Sequence, residues 1–155
     1  MKKSFLLSAL LYCGFSTFIV AEAFERKGFN IGLGASVLFP KVEYALPGIE
    51  IETGYFFSNQ FDMAASLKIA LGTAMLSAKG KYYIQDEEDT SYVSVEVGQF
   101  VAIRDVDELK LSYAGGIGYA FGHKEVELNV IRDRYSYEND YSSDTHLLVT
   151  FRYLF

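Results

Sequence analysis

The chain ends in Leu147-Leu148-Val149-Thr150-Phe151-Arg152-Tyr153-Leu154-Phe155. Leu147, Val149, Phe151, Tyr153 and Phe155 place an apolar or aromatic side chain at every second position, and Thr150 and Arg152 fall on the other set. A period of two belongs to a strand, whose successive side chains point to opposite faces. A helix would scatter the same five residues around its circumference, because it repeats every ~3.6 residues.

The rhythm recurs upstream. Phe29 to Phe39, Ile49 to Phe57, Met63 to Leu71, Ala74 to Ile84, Val93 to Val97, Leu109 to Phe121 and Val126 to Val130 each alternate apolar with polar or small residues. With the last segment this makes eight strands, most of them longer than the ~5–6 residues usual in soluble proteins. Strands that cross a membrane need ~9–11 residues. Two segments fit less well. Gln99 falls on the apolar set and Phe100 on the polar one, so a bulge near Gly98 is expected to restore the phase. The Ala74 to Ile84 segment has a weak apolar face, with Ala74, Ala78 and Gly80.

Sorting by phase also sorts the charge. The polar set carries Glu50, Glu52, Glu96, Glu125 and Glu127 against Lys68, Lys79, Lys81, Lys110 and Arg152. Five acids facing five bases predict an ion-pair network inside a closed, narrow barrel, with Gly, Ala and Ser filling the crowded remainder. Simple hairpin register places Glu127 level with Arg152, Glu52 near Lys68 and Lys81 near Glu96. On the apolar set, Phe29, Tyr55, Phe57, Tyr82, Tyr119, Phe121, Tyr153 and Phe155 gather at one end, as in the aromatic girdle of a membrane barrel. With the N-terminus on the periplasmic side, that end is periplasmic. Its turns are then Ser58 to Phe61, Gln85 to Thr90 and Gly122 to Lys124. The outer loops are Pro40 to Pro47, Gly72-Thr73, Arg104 to Glu108 and a polar loop from Ser136 to Asp144.

Composition narrows the rest. The 155 residues carry 14 Lys or Arg and 20 Asp or Glu, for a net charge of −6, and half of them are hydrophobic. An acidic chain lacks the basic face a nucleic-acid binder needs. Lys2 and Lys3, an uncharged run from Ser4 to Ala21, and Ala21-Glu22-Ala23 read as a secretory signal cleaved after Ala23. The run is short for a membrane anchor, which needs ~20 apolar residues. Tyr12 is too bulky before Cys13 for a lipoprotein signal. Cleavage removes Cys13, the single cysteine, so neither a disulfide nor a Cys-based metal site is expected.

The terminal strand ending in Phe155 resembles the assembly signal of bacterial outer-membrane barrels, which the barrel-assembly machinery reads. Gly115-Gly116-Ile117-Gly118-Tyr119-Ala120-Phe121 is similar to the sixth strand of small OmpA/OmpX-like and opacity-type barrels. The resemblance covers residues 24–155 as architecture and is specific in sequence for the last strand. It implies passage through periplasmic chaperones, residence in the outer membrane among its lipids and lipopolysaccharide, and a monomer. Larger OmpA-type proteins continue into a peptidoglycan-binding domain. With Phe155 as the last residue here, that activity is not expected. Loops this short also argue against a dedicated adhesin.

Chemistry is sparse. His123 and His146 are the two neutral-pH acid–base groups. His123 reads as a turn residue. Ser142-Ser143-Asp144-Thr145-His146 would supply a lipid A-modifying enzyme with a Ser142 or Ser143 nucleophile, His146 as base and Asp144 or Glu138 to orient it. Spacing alone does not make a triad, and the polar-loop reading is preferred. Gly32-Leu33-Gly34 and Gly115-Gly116 lack the following helix of a phosphate loop. Arg132 and Arg134 fall on the outward set, where lipopolysaccharide phosphates would meet them.

The sequence therefore predicts an all-β protein: a cleaved signal peptide at 1–23, then an eight-stranded antiparallel up-and-down transmembrane β-barrel over 24–155. Its expected role is structural or surface-interactive, with an occluded polar lumen, no catalytic residues, no cofactor and no metal. A narrow porin and a His146-dependent acyl hydrolase or transferase are the competing readings.

Overall fold

The computed structural model describes residues 26–40, 45–71, 73–102, 110–137 and 140–155. The expected signal peptide, and Glu138 and Asn139, lie outside them. Eight strands follow in order: β1 (Gly28–Pro40), β2 (Leu46–Ser58), β3 (Phe61–Ala70), β4 (Thr73–Tyr83), β5 (Thr90–Ala102), β6 (Lys110–Phe121), β7 (Lys124–Tyr137) and β8 (Asp140–Leu154). Each pairs antiparallel with its neighbours in sequence, and β8 closes on β1 from Gly32 opposite Leu154 to Pro40 opposite His146. Closure leaves no strand edge, so the ladder satisfies its own backbone donors and acceptors.

The alternation decides which face is which. Phe29, Leu76, Val95 and Ile117 point outward and are 62–69% exposed. Large apolar side chains are exposed on β1 through β7, and Leu147, Val149, Phe151 and Tyr153 are half-exposed on β8. Glu52, Glu125, Thr150 and Arg152 point inward and are fully buried. A soluble barrel has the opposite arrangement. An apolar exterior of this extent is what hydrocarbon requires, so the fold is that of a transmembrane β-barrel.

One end carries short turns at Asn59-Gln60, Ile84 to Asp89 and Gly122-His123. We call it the turn end and its opposite the loop end. Gly122 adopts φ +58°, a backbone state that favours glycine. A register shift between Phe56 and Ser58 tightens the β2–β3 turn.

Two expectations are corrected. There is no bulge at Gly98, because the register runs without a break from Ser77 opposite Gly98 to Gly98 opposite Ser112. A Cβ at this glycine would sit 2.3 Å from the Leu76 carbonyl and 2.5 Å from the Ser77 Cβ, so glycine is needed for close strand approach. Gln99 stays on the outward face, level with Leu76 and Leu111. Likewise, the supposed loop from Ser136 to Asp144 is mostly strand: Ser136 pairs with Tyr141 and Tyr137 with Asp140. Ladder hydrogen bonds hold these polar residues in strand conformation, which an apolar-alternation rule does not detect.

Candidate functional site

The inward faces of β2, β3, β4, β5, β7 and β8 deliver one charged cluster to the lumen. Arg152 on β8 is its hub. Its Nη1 donates to Glu125 Oε2 at 2.5 Å, and its Nη2 donates to Glu50 Oε1 at 2.8 Å and Glu127 Oε2 at 3.0 Å. Glu52 Oε2 is 3.4 Å away. Lys79 donates to Glu127 Oε2 at 2.5 Å and lies 3.5 Å from Glu52. Lys81 donates to Glu52 and, at 2.9 Å, to Glu125. Lys68 donates to Glu96 and lies 3.7 Å from Glu50. Neutral donors complete the set: Ser66 to Glu50, Ser77 to Glu96, Ser94 to Glu127 and Tyr83 to Glu125. Buried charge is tolerated only when paired and hydrogen-bonded in this way.

Of the three expected pairs, Glu127 and Arg152 meet, although the register sets Arg152 opposite Glu125 and Glu127 opposite Thr150. Glu52 and Lys68 do not, and neither do Lys81 and Glu96. The register sets Lys68 opposite Glu50 and Glu96 opposite Lys79, two positions from simple hairpin reckoning. The long side chains then reach across the lumen: Lys81 to β2 and β7, Lys68 to β5. Among the described residues three buried charged groups were missed, Asp62, Asp133 and Arg26. Asp62 lies 3.7 Å from Lys81. Extending the Ala64, Ser66, Lys68 phase by one step would have found it. The even balance of five acids and five bases is therefore revised. The Lys110 side chain lies outside the described ones.

Apolar layers bound the network. At the loop end Leu38, Met75, Ala114, Ile131 and Leu148 pack together inside the barrel. A cavity of about 20 Å³ beside Ser36, Leu38, Lys68 and Met75 has room for roughly one water. At the turn end Phe56, Tyr83, Tyr92, Ala120 and Leu154 form a second layer, with Tyr83 and Tyr92 ring centroids 5.1 Å apart. Gly118 makes room for it, since a Cβ there would lie 2.2 Å from the Tyr92 ring.

On the outside, the aromatics named from sequence share the turn end. Phe29 stands opposite Tyr55, and ring contacts join Tyr55 to Phe57, Tyr119 to Phe121 and Tyr153 to Phe155. Leu147, Val149, Phe151 and Tyr153 occupy the outward face of β8, with Phe155 just beyond. Arg132 is exposed on the outward face of β7, opposite Tyr113 and Thr145. The Arg134 side chain lies outside the described ones.

His146 differs from expectation. Its Nε2 meets Asp133 Oδ2 at 2.9 Å, a partner the sequence did not suggest. It shares the inward phase of Leu148 and Thr150, so it addresses the lumen and not the lipid face. The side chains of Ser142 and Ser143 lie outside the described ones. Among the described residues no group of three or more His, Cys, Asp or Glu could hold a metal ion.

No family model and no curated protein matches the chain. Solved structures do. A de novo designed transmembrane β-barrel superposes with a TM-score of 0.52 at 10% identity, over 84% of this chain and 98% of the design. The N-terminal β-barrel domain of Pseudomonas aeruginosa OprF gives 0.48 at 16% identity, over 80% and 97%. Ail, the attachment invasion locus protein of Yersinia pestis, gives 0.43 at 12% identity, over 83% and 99%. With the outward apolar face and the closed ladder, the likeness to the design shows that the chain has the fold of an eight-stranded transmembrane β-barrel.

Proposed function

We propose that this protein is a non-conducting outer-membrane barrel, held rigid from within and acting as a structural or surface-interaction element of a bacterial envelope. One observation carries the reading: a charged network in which each of the four cations meets at least one carboxylate, buried between two apolar layers, inside a wall whose outer face is apolar. An eight-stranded lumen is about as wide as the side chains that fill it. Here four cations lie among six carboxylates, and a passing ion would have to break pairs that water does not replace. His146 turns toward Asp133 inside the barrel, which favours the structural reading over an acyl-transfer enzyme.

The signal at 1–23 directs the chain across the inner membrane, and the strand ending in Phe155 presents the assembly signal. The barrel then sits as a monomer among lipids. Arg132 and Arg134 meet lipopolysaccharide phosphates at the loop end, and neither a cofactor nor nucleic acid takes part.

Single-channel recording in planar bilayers tests the lumen. The expected result is no steady conductance. Stable ohmic steps from the wild-type chain would establish the porin reading instead. Cysteine labelling tests the orientation, because residues 24–155 contain no thiol. Leu71→Cys lies in a turn at the loop end and Asn59→Cys in one at the turn end. Only the first should react with an impermeant maleimide on intact cells.

A further inference from the structure

Arg26 precedes β1 and is 5% exposed. Its Nη1 donates to the Glu87 carbonyl at 2.7 Å and its Nη2 to the Glu88 carbonyl at 2.6 Å. The guanidinium carbon stands 4.3 Å above the centre of the Tyr83 ring. Two adjacent carbonyls therefore meet the two arms of one planar fork, and its central carbon stands over an aromatic face. This geometry selects guanidinium over ammonium, which is a compact point charge without a fork.

The receptor is built without Arg26. Tyr83 is fully buried, wedged between Phe56 and Tyr92, and its hydroxyl donates to Glu125 in the lumen network at 2.5 Å. The ring is thereby locked from below. The carbonyls belong to the β4–β5 connection, whose Asp86, Glu87, Glu88 and Asp89 are all exposed and surround the site with negative potential. A Cβ at Gly122 would lie 3.2 Å from Glu88 Oε1, so this connection reaches across to the β6–β7 turn.

We propose that the turn-end mouth is a guanidinium-binding site, filled in cis by Arg26 and open to an arginine of a basic partner peptide when the N-terminal segment is drawn away. The site depends on the geometry of the turn end alone and stands whether or not the barrel conducts. Its ligand class is set by the fork and the ring.

Chemical rescue tests it. The barrel is refolded in detergent micelles as wild type and as Arg26→Ala, and each is titrated with ethylguanidinium chloride. Ethylammonium chloride at equal ionic strength is the control. Resonances of the Tyr83 ring and of the Glu87 and Glu88 amides are followed by NMR. In Arg26→Ala, ethylguanidinium should produce saturable shifts at these three positions, with ethylammonium much weaker. Wild type should show none, because its site is occupied. Adding Tyr83→Leu to Arg26→Ala should abolish the response. Absence of a saturable shift in Arg26→Ala, or an equal response from wild type, would overturn the proposal. Should Arg26→Ala not give a folded spectrum, Arg26→Gln removes the fork while keeping a polar side chain, and the same outcomes apply.

Discussion

Arg152 is the residue on which the interior depends. Its inward phase is legible from the last nine residues, but its partners are not: Glu50 lies 102 positions away in sequence and reaches it only because β8 closes on β1. Removing the guanidinium leaves carboxylates from β2 and β7 without their shared counter-ion. Arg152→Met should destabilise the barrel by about 3–5 kcal/mol, the cost of breaking a buried pair from one side. Urea unfolding in detergent measures it. Two glycines three residues apart offer a sharper contrast. A Cβ at Gly118 would collide with the Tyr92 ring, whereas one at Gly115 meets nothing within 4 Å. Gly118→Ala should cost about 1–3 kcal/mol, as overpacking does. Gly115→Ala should stay within about 0.5 kcal/mol. Both are strand glycines in one run: the alternation puts Gly115 on the outward face and Gly118 on the inward one, and the register then sets Tyr92 opposite Gly118, which sequence does not show.

At the scale of the strand, most of the fold was readable. Period-two alternation located all eight elements because each has one face against lipid and one against a packed lumen. It failed where neither face is plainly apolar, as in the β7–β8 hairpin beyond Arg134, and where a glycine serves close approach, as at Gly98. The lipid-facing assignment is testable on a single strand. Val95 is in mid-β5, 69% exposed and flanked on its face by Val93 and Val97. Val95→Arg should lower stability in lipid by about 2–4 kcal/mol, as a cation near the bilayer midplane does. An outward arginine on a barrel surrounded by water would cost almost nothing, so a neutral result in folding assays on liposomes would reject the lipid-facing assignment.

For the whole molecule, the decisive property is contact between strands that do not adjoin. Lys79 on β4 and Glu127 on β7 touch although two strands of the wall separate them. A double-mutant cycle with Lys79→Met and Glu127→Gln should show coupling of about 0.5–3 kcal/mol, while additive effects would mean that the lumen is open and wet. By itself, the sequence determined the class of fold, the number of strands, which set of residues faces lipid and most of the charged groups that enter the interior, Asp62, Asp133 and Arg26 excepted. Those follow from local alternation, a property of the chain and its solvent. Only the tertiary structure decided who pairs with whom: that Lys81 serves Glu52 and Glu125, that His146 belongs to Asp133, and that Arg26 seats on Tyr83. The physical reason is that register and closure are collective. A displacement of two positions keeps every side chain on its own face and changes every partner it meets.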